Sequence, residues 1–297
     1  MSDSLIGSIF GLSCAVIWSL TVILYKGVSE RLSPNIFNFT KNSIAFILLA
    51  ITILVINGPE LEKISSKDFY YLFISGFIGL GAADSLFLYC LKKIGAGWMA
   101  IVETAYTPFV FIFSYFLLSE DISAKEATGV FIIVGSLLLI SLEERRGILV
   151  SRSDFLKGIA AGVASLALVA FGVVLTKVSL ANVSLLYAVE LRLLGGVLAC
   201  IFLLLLRPSK LKIEFNQLTN YPSKTKLIAI SIFGTYLTLI LWVGGFKYQK
   251  ATIVAVLNQT STLFTLLASI VFLKEQLTPL KLLVACLAIS GVIITIF

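Results

Sequence analysis

Apolar runs recur along the whole chain, among them Ile44 to Ile56, Gly129 to Leu142 and Leu193 to Leu206. With its flanks, each approaches the roughly 20 residues that a helix needs to cross the hydrocarbon of a bilayer. A helix is the natural form for such a run, because it satisfies its backbone polar groups internally where water is absent. Composition points the same way. The chain of 297 residues is 59% hydrophobic and 13% charged, against about a quarter charged in a typical soluble domain. A water-soluble core would not absorb this sequence, which reads as a polytopic membrane protein in the cell membrane. Met1 to Ser4 carries no basic residue and the run after it is as long as the later ones. That run is expected to be a membrane helix, not a cleaved leader.

Reading apolar runs against breakers gives an all-α integral membrane protein of ten transmembrane helices: Leu5 to Tyr25, Pro34 to Ile56, Phe69 to Leu91, Trp98 to Leu118, Lys125 to Leu142, Phe155 to Lys177, Ser184 to Leu206, Lys226 to Phe246, Thr252 to Leu273 and Pro279 to Phe297. Ser33-Pro34 and Thr278-Pro279 each put a capping hydroxyl before a proline at the first helical position. Ser123 with Glu126 fits a capping box. The widest polar gaps are Glu143 to Asp154 and Arg207 to Lys226.

The first of these gaps falls at mid-chain and invites a search for a repeat. An offset of 151 aligns Gly7, Gly11, Lys26 and Lys41 with Gly158, Gly162, Lys177 and Arg192. From the third helix onward the offset is 155, matching Lys92, Ala100, Glu103, Thr107 and Glu120 to Lys247, Ala255, Asn258, Thr262 and Glu275. The chain therefore divides into two five-helix repeats, residues 1–146 and 147–297. An odd number of spans makes the second copy enter from the opposite side, so the repeats are expected to be inverted. In transporters, the substrate site of such a pair lies near mid-bilayer at the interface.

Five charged groups lie deep inside the expected spans, away from their first and last turns: Lys41, Asp84, Glu103, Glu190 and Arg192. A charge at mid-bilayer costs at least about 2.5–3.5 kcal/mol on insertion scales, so such groups face a cavity or a partner. Glu103, Tyr106 and Thr107 share one helix face. Pro108 lacks the N–H that would bond the carbonyl of Thr104, which permits a kink beside that stripe. Glu103 is read as lining a substrate path; the alternative is a fixed bond to another helix, with Pro108 shaping packing alone. Asn258 and Thr262 repeat the stripe without its charge, as substrate contacts or interhelical ties. Asn38, Lys41 and Asn42 share a face of the second helix. Lys41 has three roles open to it: an anionic group of substrate, neutralisation of Glu103 or Asp84, or a snorkelling anchor. Asp84 follows Gly76, Gly79 and Gly81, and as a lone buried carboxylate it is the residue to which proton coupling is assigned. Glu190 and Arg192 point to different sides of their helix. Arg192, matching Lys41, is the one expected at the cavity. Glu120 and Glu275 sit at helix ends, where capping or gating is expected.

The stretches WSLTVILYKGVSERLSP (Trp18 to Pro34), YTPFVFIFSYFLLSEDIS (Tyr106 to Ser123) and LNQTSTLFTLLASIVFLKEQLT (Leu257 to Thr278) resemble the drug/metabolite transporter superfamily, in particular its ten-helix EamA-type members. The resemblance covers both halves. It implies a secondary carrier that moves small metabolites such as amino acids by alternating access through a central cavity, with Trp18 matching a tryptophan usual in the first helix. A mixed lining of acids and bases suits a zwitterion. Glu103 opposite the neutral Asn258, and Pro108 opposite Leu263, make the expected cavity asymmetric.

The competing readings are an intramembrane enzyme and a passive channel. The chain has no histidine, so zinc-site signatures of the HExxH type are excluded, and Asp84 is the only aspartate inside an expected span. No enzymatic activity, cofactor or metal is expected. The partners expected are a small-molecule substrate and the lipid bilayer, with the chain a monomer or homodimer. The net charge of +7 lies mostly in loops, where it sets orientation and not nucleic-acid binding. Alternating loops place six Lys and Arg on the face with the termini and fifteen on the other. Charge thus puts the termini outside, while the resemblance implies the cytoplasm. The four cysteines lack metal-type spacing and read as small buried hydrophobes.

Overall fold

The structure is a computed structural model that describes residues 2–121, 123–140, 151–275 and 278–296. Among these residues all regular secondary structure is helical, with no strand. Eight helices are long and apolar enough to cross a membrane: α1 (Asp3–Ser29), α2 (Pro34–Asn57), α3 (Ser66–Ile94), α4 (Ala96–Leu118), α6 (Arg152–Ser179), α7 (Leu185–Leu205), α9 (Lys224–Tyr248) and α10 (Ala251–Leu273). The helices α5 (Ala124–Ile140) and α11 (Pro279–Ile296) are apolar but have shorter apolar cores. An eleventh helix, α8 (Pro208–Thr219), occupies a gap that hydropathy leaves blank. Its Leu211 and Leu218 pack inward while Lys210, Lys212, Ile213 and Phe215 are exposed.

The expected caps form at two starts: Ser33 Oγ accepts from the Ile36 N–H and Thr278 Oγ1 from that of Lys281. The Glu126 side chain and residues 141–150 lie outside the described residues, and with them the Ser123–Glu126 capping box and most of the mid-chain gap. Gly7 and Gly11 lie against the α9–α10 junction, and Gly158 and Gly162 against the α3–α4 junction, so both glycine pairs serve close packing.

Contacts between the halves come in repeat-related sets. α1 packs on α9 and α10, and its counterpart α6 packs on α3 and α4; α2 meets α7, α4 meets α10, and α5 meets α11. Irregular backbone is duplicated too. A π-helical segment interrupts α3 at Phe77–Ala83 and another interrupts α9 at Ile232–Leu237. α4 tightens into a 3-10 turn at Glu103–Ala105, and α10 breaks at the corresponding Gln259. Pro108 follows the first break, yet Leu263 stands at its place after the second, so the proline is not what the break requires. α4 and α10 both end on a left-handed residue, Ser119 and Lys274, each with φ of 54°.

Loops at the two ends of the bundle are tied by matching pairs. At one end Lys92 Nζ donates to the Leu32 carbonyl and the Ser33 N–H to Gln217 Oε1. At the other, Lys247 Nζ donates to the carbonyls of Leu180 and Val183, and the Ser184 N–H to Glu62 Oε1. Outward-facing side chains are large and apolar, as at Leu20, Ile51, Phe131 and Phe202. Three of the four cysteines are buried as expected, and Cys286 is exposed.

Candidate functional site

Irregular backbone inside a membrane is tolerated where protein buries it or where it lines a cavity. Here the π segments and the helix breaks surround one cavity of about 140 Å³ at the middle of the bundle. Its walls come from both halves in repeat-related pairs: Trp18 with Val169, Gly79 with Gly234, Asp84 with Leu239, Phe87 with Trp242, Glu103 with Asn258, and Tyr106 with Ser261. All the acidity lies in the first half. The asymmetry expected from Glu103 opposite Asn258 is thus present in the walls.

The break in α4 sets Glu103, which is 7% exposed. Its Oε1 accepts from Trp18 Nε1 at 2.7 Å, and its backbone carbonyl accepts from Gln259 Nε2 at 3.1 Å. The second carboxylate oxygen, Oε2, has no partner among the described residues. No Lys or Arg pairs with it among the described residues.

Lys41 and Asp84 both line the cavity and are joined to each other, Nζ to Oδ2 at 2.6 Å. Lys41 Nζ also donates to Asn42 Oδ1 at 3.1 Å and lies 5.8 Å from the centre of the Tyr25 ring. Of the roles open to Lys41, neutralising Asp84 is the one the geometry displays. Asp84 is correspondingly not a lone carboxylate.

Asn38 and Asn42 are turned away from the cavity. Asn38 Nδ2 donates to the carbonyls of Leu80 and Gly81, each at 2.9 Å, and Asn42 Nδ2 to Leu80 at 3.0 Å. These carbonyls belong to the π segment of α3, whose wide turn they help to hold. Thr107 is fully buried with an unpartnered hydroxyl, and Thr262 Oγ1 donates to Gln259 Oε1, so neither lines the cavity. Asn258 does line it. In the amide orientation that satisfies both of its groups, it accepts from Trp242 Nε1 and donates to the Gly11 carbonyl, each at 3.0 Å. Arg192 lies fully buried one layer behind the wall, with its Cζ 5.3 Å from the centre of the Trp242 ring.

Of the eleven residues singled out in the sequence, the structure gathers Trp18, Lys41, Asp84, Glu103, Tyr106 and Asn258 around the cavity, and leaves Asn38, Asn42, Thr107, Arg192 and Thr262 off its surface. It adds Phe87 as a ring wall, and with it Trp242, a residue type that suits either a cavity wall or an interfacial belt. Their relation by the offset of 155 was the available signal, since each aromatic residue is the other's repeat partner.

The chain is similar to protein LicB of Haemophilus influenzae, 25% identical over 98% of this chain and 97% of that one. It is similar to two proteins called uncharacterized transporters, each over about half of its length. The one from Clostridium kluyveri is 26% identical over 48% of this chain and 47% of its own. The one from Archaeoglobus fulgidus is 26% identical over 46% and 47%. One solved crystal structure shares the fold with a TM-score of 0.69, covering 97% of this chain and 94% of its own at 15% identity. The EamA-like transporter family matches twice, at residues 5–142 and again at 156–297. The chain, a multi-pass membrane protein of the cell membrane, therefore belongs to the EamA-like transporter family.

Proposed function

We propose that this protein is a secondary active transporter, an exporter or exchanger, and not an enzyme. Its substrates are small metabolites of the amino-acid or related zwitterionic class, carried through the central cavity by alternating access. The observation that carries this reading is Glu103: a buried carboxylate on the cavity wall with one oxygen bound to Trp18 and the other unpartnered. The free oxygen is suited to an ammonium group. The rings of Trp18, Phe87, Tyr106 and Trp242 around the same space add the cation–π attraction that an ammonium finds over an aromatic face. Lys41 is withdrawn from substrate by Asp84. Coupling to a proton gradient is proposed to run through Glu103, a carboxylate with no cation paired to it.

The architecture we propose is ten membrane helices in two inverted repeats. The double family match, the paired contacts between halves and the duplicated helix breaks support it. Impermeant maleimide labelling tests it, with single cysteines at Glu60 and Lys212 in a Cys286→Ser background. Inversion requires these two sites to react from opposite sides of the membrane, and reaction from the same side refutes it.

For transport, the purified protein in proteoliposomes should show saturable uptake and counterflow of an amino acid, both lost in Glu103→Gln. That variant keeps the acceptor for Trp18 and removes the charge. Unimpaired uptake removes Glu103 from the site, and flux without counterflow replaces the carrier with a channel.

A further inference from the structure

We propose that Arg192 is an anion subsite beside the cavity, placed to grip the carboxylate of a substrate whose ammonium meets Glu103, or a free anion of similar size. The proposal rests on the reading of the cavity as the substrate site.

Arg192 is the counterpart of Lys41, and Lys41 is neutralised by Asp84. The counterpart of Asp84 is Leu239. The second half has therefore kept its intramembrane cation and lost the carboxylate that would pair with it. Among the described residues no carboxylate is paired with Arg192; a buried cation without such a pair is strongly disfavoured, and in membrane proteins it marks a ligand path.

The guanidinium itself is open along one edge. Arg192 is fully buried, and its Nη1 donates to Thr176 Oγ1. Nε and Nη2 have no acceptor among the described residues. These two nitrogens share one edge of the planar group, the edge that holds a carboxylate through two parallel bonds. The donors left open are thus the pair that makes a bidentate grip.

Gly79 lines the cavity, and a Cβ built on it would lie 3.5 Å from Nη2. No side chain stands at that point between the guanidinium and the cavity. Trp242, also in the wall, covers the cation with its ring. Charge closes the argument. The wall itself holds Lys41, Asp84 and Glu103, one negative charge in excess, and Arg192 supplies the balancing positive one. A zwitterion bound between Glu103 and Arg192 satisfies both open groups at once.

The test compares matched ligands on the purified full-length protein in nanodiscs. Glycine, leucine and phenylalanine are set against methylamine, isopentylamine and phenethylamine, and binding is read by thermal shift across a concentration series. Wild type should prefer the carboxylate-bearing member of at least one pair by tenfold or more. Arg192→Gln should abolish that preference. Arg192→Lys, which keeps the charge without the planar edge, should weaken it. Gly79→Ala adds a methyl group at ordinary contact distance from Nη2, so it should fold and should also reduce the preference. Amine binding that strengthens with chloride in wild type but not in Arg192→Gln would identify the occupant as the free anion. Equal binding of both members by wild type, or a preference that survives in Arg192→Gln and Gly79→Ala, overturns the subsite. Glu103→Gln separates the two readings: loss of both members in that variant upholds the cavity whatever becomes of Arg192. Failure of every ligand to bind wild type brings down both.

Discussion

Glu120 and Glu275 stand 155 residues apart, and each caps the helix to which the other belongs by repeat. Glu275, just past the end of α10, accepts from the first N–H groups of α4, at Ala96 (2.7 Å) and Gly97 (2.9 Å). Glu120, just past the end of α4, accepts from the first N–H groups of α10, at Ala251 (3.2 Å) and Thr252 (3.4 Å). Each carboxylate meets the positive end of a helix dipole and satisfies two otherwise open donors. The exchange makes α4 and α10 antiparallel neighbours and puts one clasp at each end of the bundle. These two carboxylates are where the helices of the cavity wall are held to each other.

The clasps differ in strength. The bonds of Glu275 are shorter, and Lys281, itself 2% exposed, braces it at 3.1 Å. No Lys or Arg is paired with Glu120 among the described residues. Glu275→Gln should lower the melting temperature more than Glu120→Gln. The lost dipole contact is worth up to about 2 kcal/mol when partly buried, and the stranded Lys281 adds to it. Thermal unfolding in one detergent measures both variants. Equal shifts would show that the brace contributes nothing.

Trp18 holds Glu103 as well as filling space on the cavity wall. Its Nε1 donates to Oε1 at 2.7 Å, and a hydrogen bond to a charged group contributes about 1.5–3 kcal/mol. Trp18→Phe keeps a ring at the wall and removes the donor. Uptake should survive with KM raised roughly tenfold, by the lower end of that range, while Glu103→Gln loses uptake outright. Identical kinetics in Trp18→Phe and wild type would mean that the carboxylate is positioned by other contacts.

The ion pair of Lys41 and Asp84 gives a double-mutant cycle. Removing one partner leaves a charge in a low-dielectric interior, which costs about 3–5 kcal/mol when both members are buried. The effect should fall below that range, because the Asp84 side chain is 21% exposed to the cavity. Lys41→Met and Asp84→Leu should each lower the yield of monodisperse protein, and the double variant should recover part of it. Strictly additive losses would show that the two groups are not coupled.

Much of this arrangement was legible in the sequence, because hydropathy, breakers and repeat spacing are local or periodic signals. The helix starts at Ser33-Pro34 and Thr278-Pro279, the correspondence of Glu120 with Glu275, and the polarity difference between Glu103 and Asn258 all come from such patterns. What escaped depends on geometry between helices. Asn38 and Asn42 share a face with Lys41, yet they turn to the carbonyls of Leu80 and Gly81, which a π turn offers and which no residue type announces. The pairing of Lys41 with Asp84 joins two helices whose rotation the sequence does not state. α8 is too polar for a hydropathy window and is held by packing of Leu211 and Leu218.

The glycines before Asp84 allow a sharper test of how tightly the halves meet. Gly76 and Gly79 lie on the same helix three residues apart, but their surroundings differ. A Cβ on Gly76 would fall 1.9 Å from the backbone carbonyl oxygen of Arg192, while one on Gly79 would lie at 3.5 Å from the Arg192 Nη2 atom. Backbone does not yield as a side-chain tip does. Overpacking of this kind costs about 1–3 kcal/mol in forgiving sites and more where a rigid element must move. Gly76→Ala should therefore push α3 off α7 and yield aggregated protein or none. Gly79→Ala should elute as wild type on size exclusion. A well-folded Gly76→Ala protein would mean that α3 and α7 stand further apart than the bare glycine faces imply.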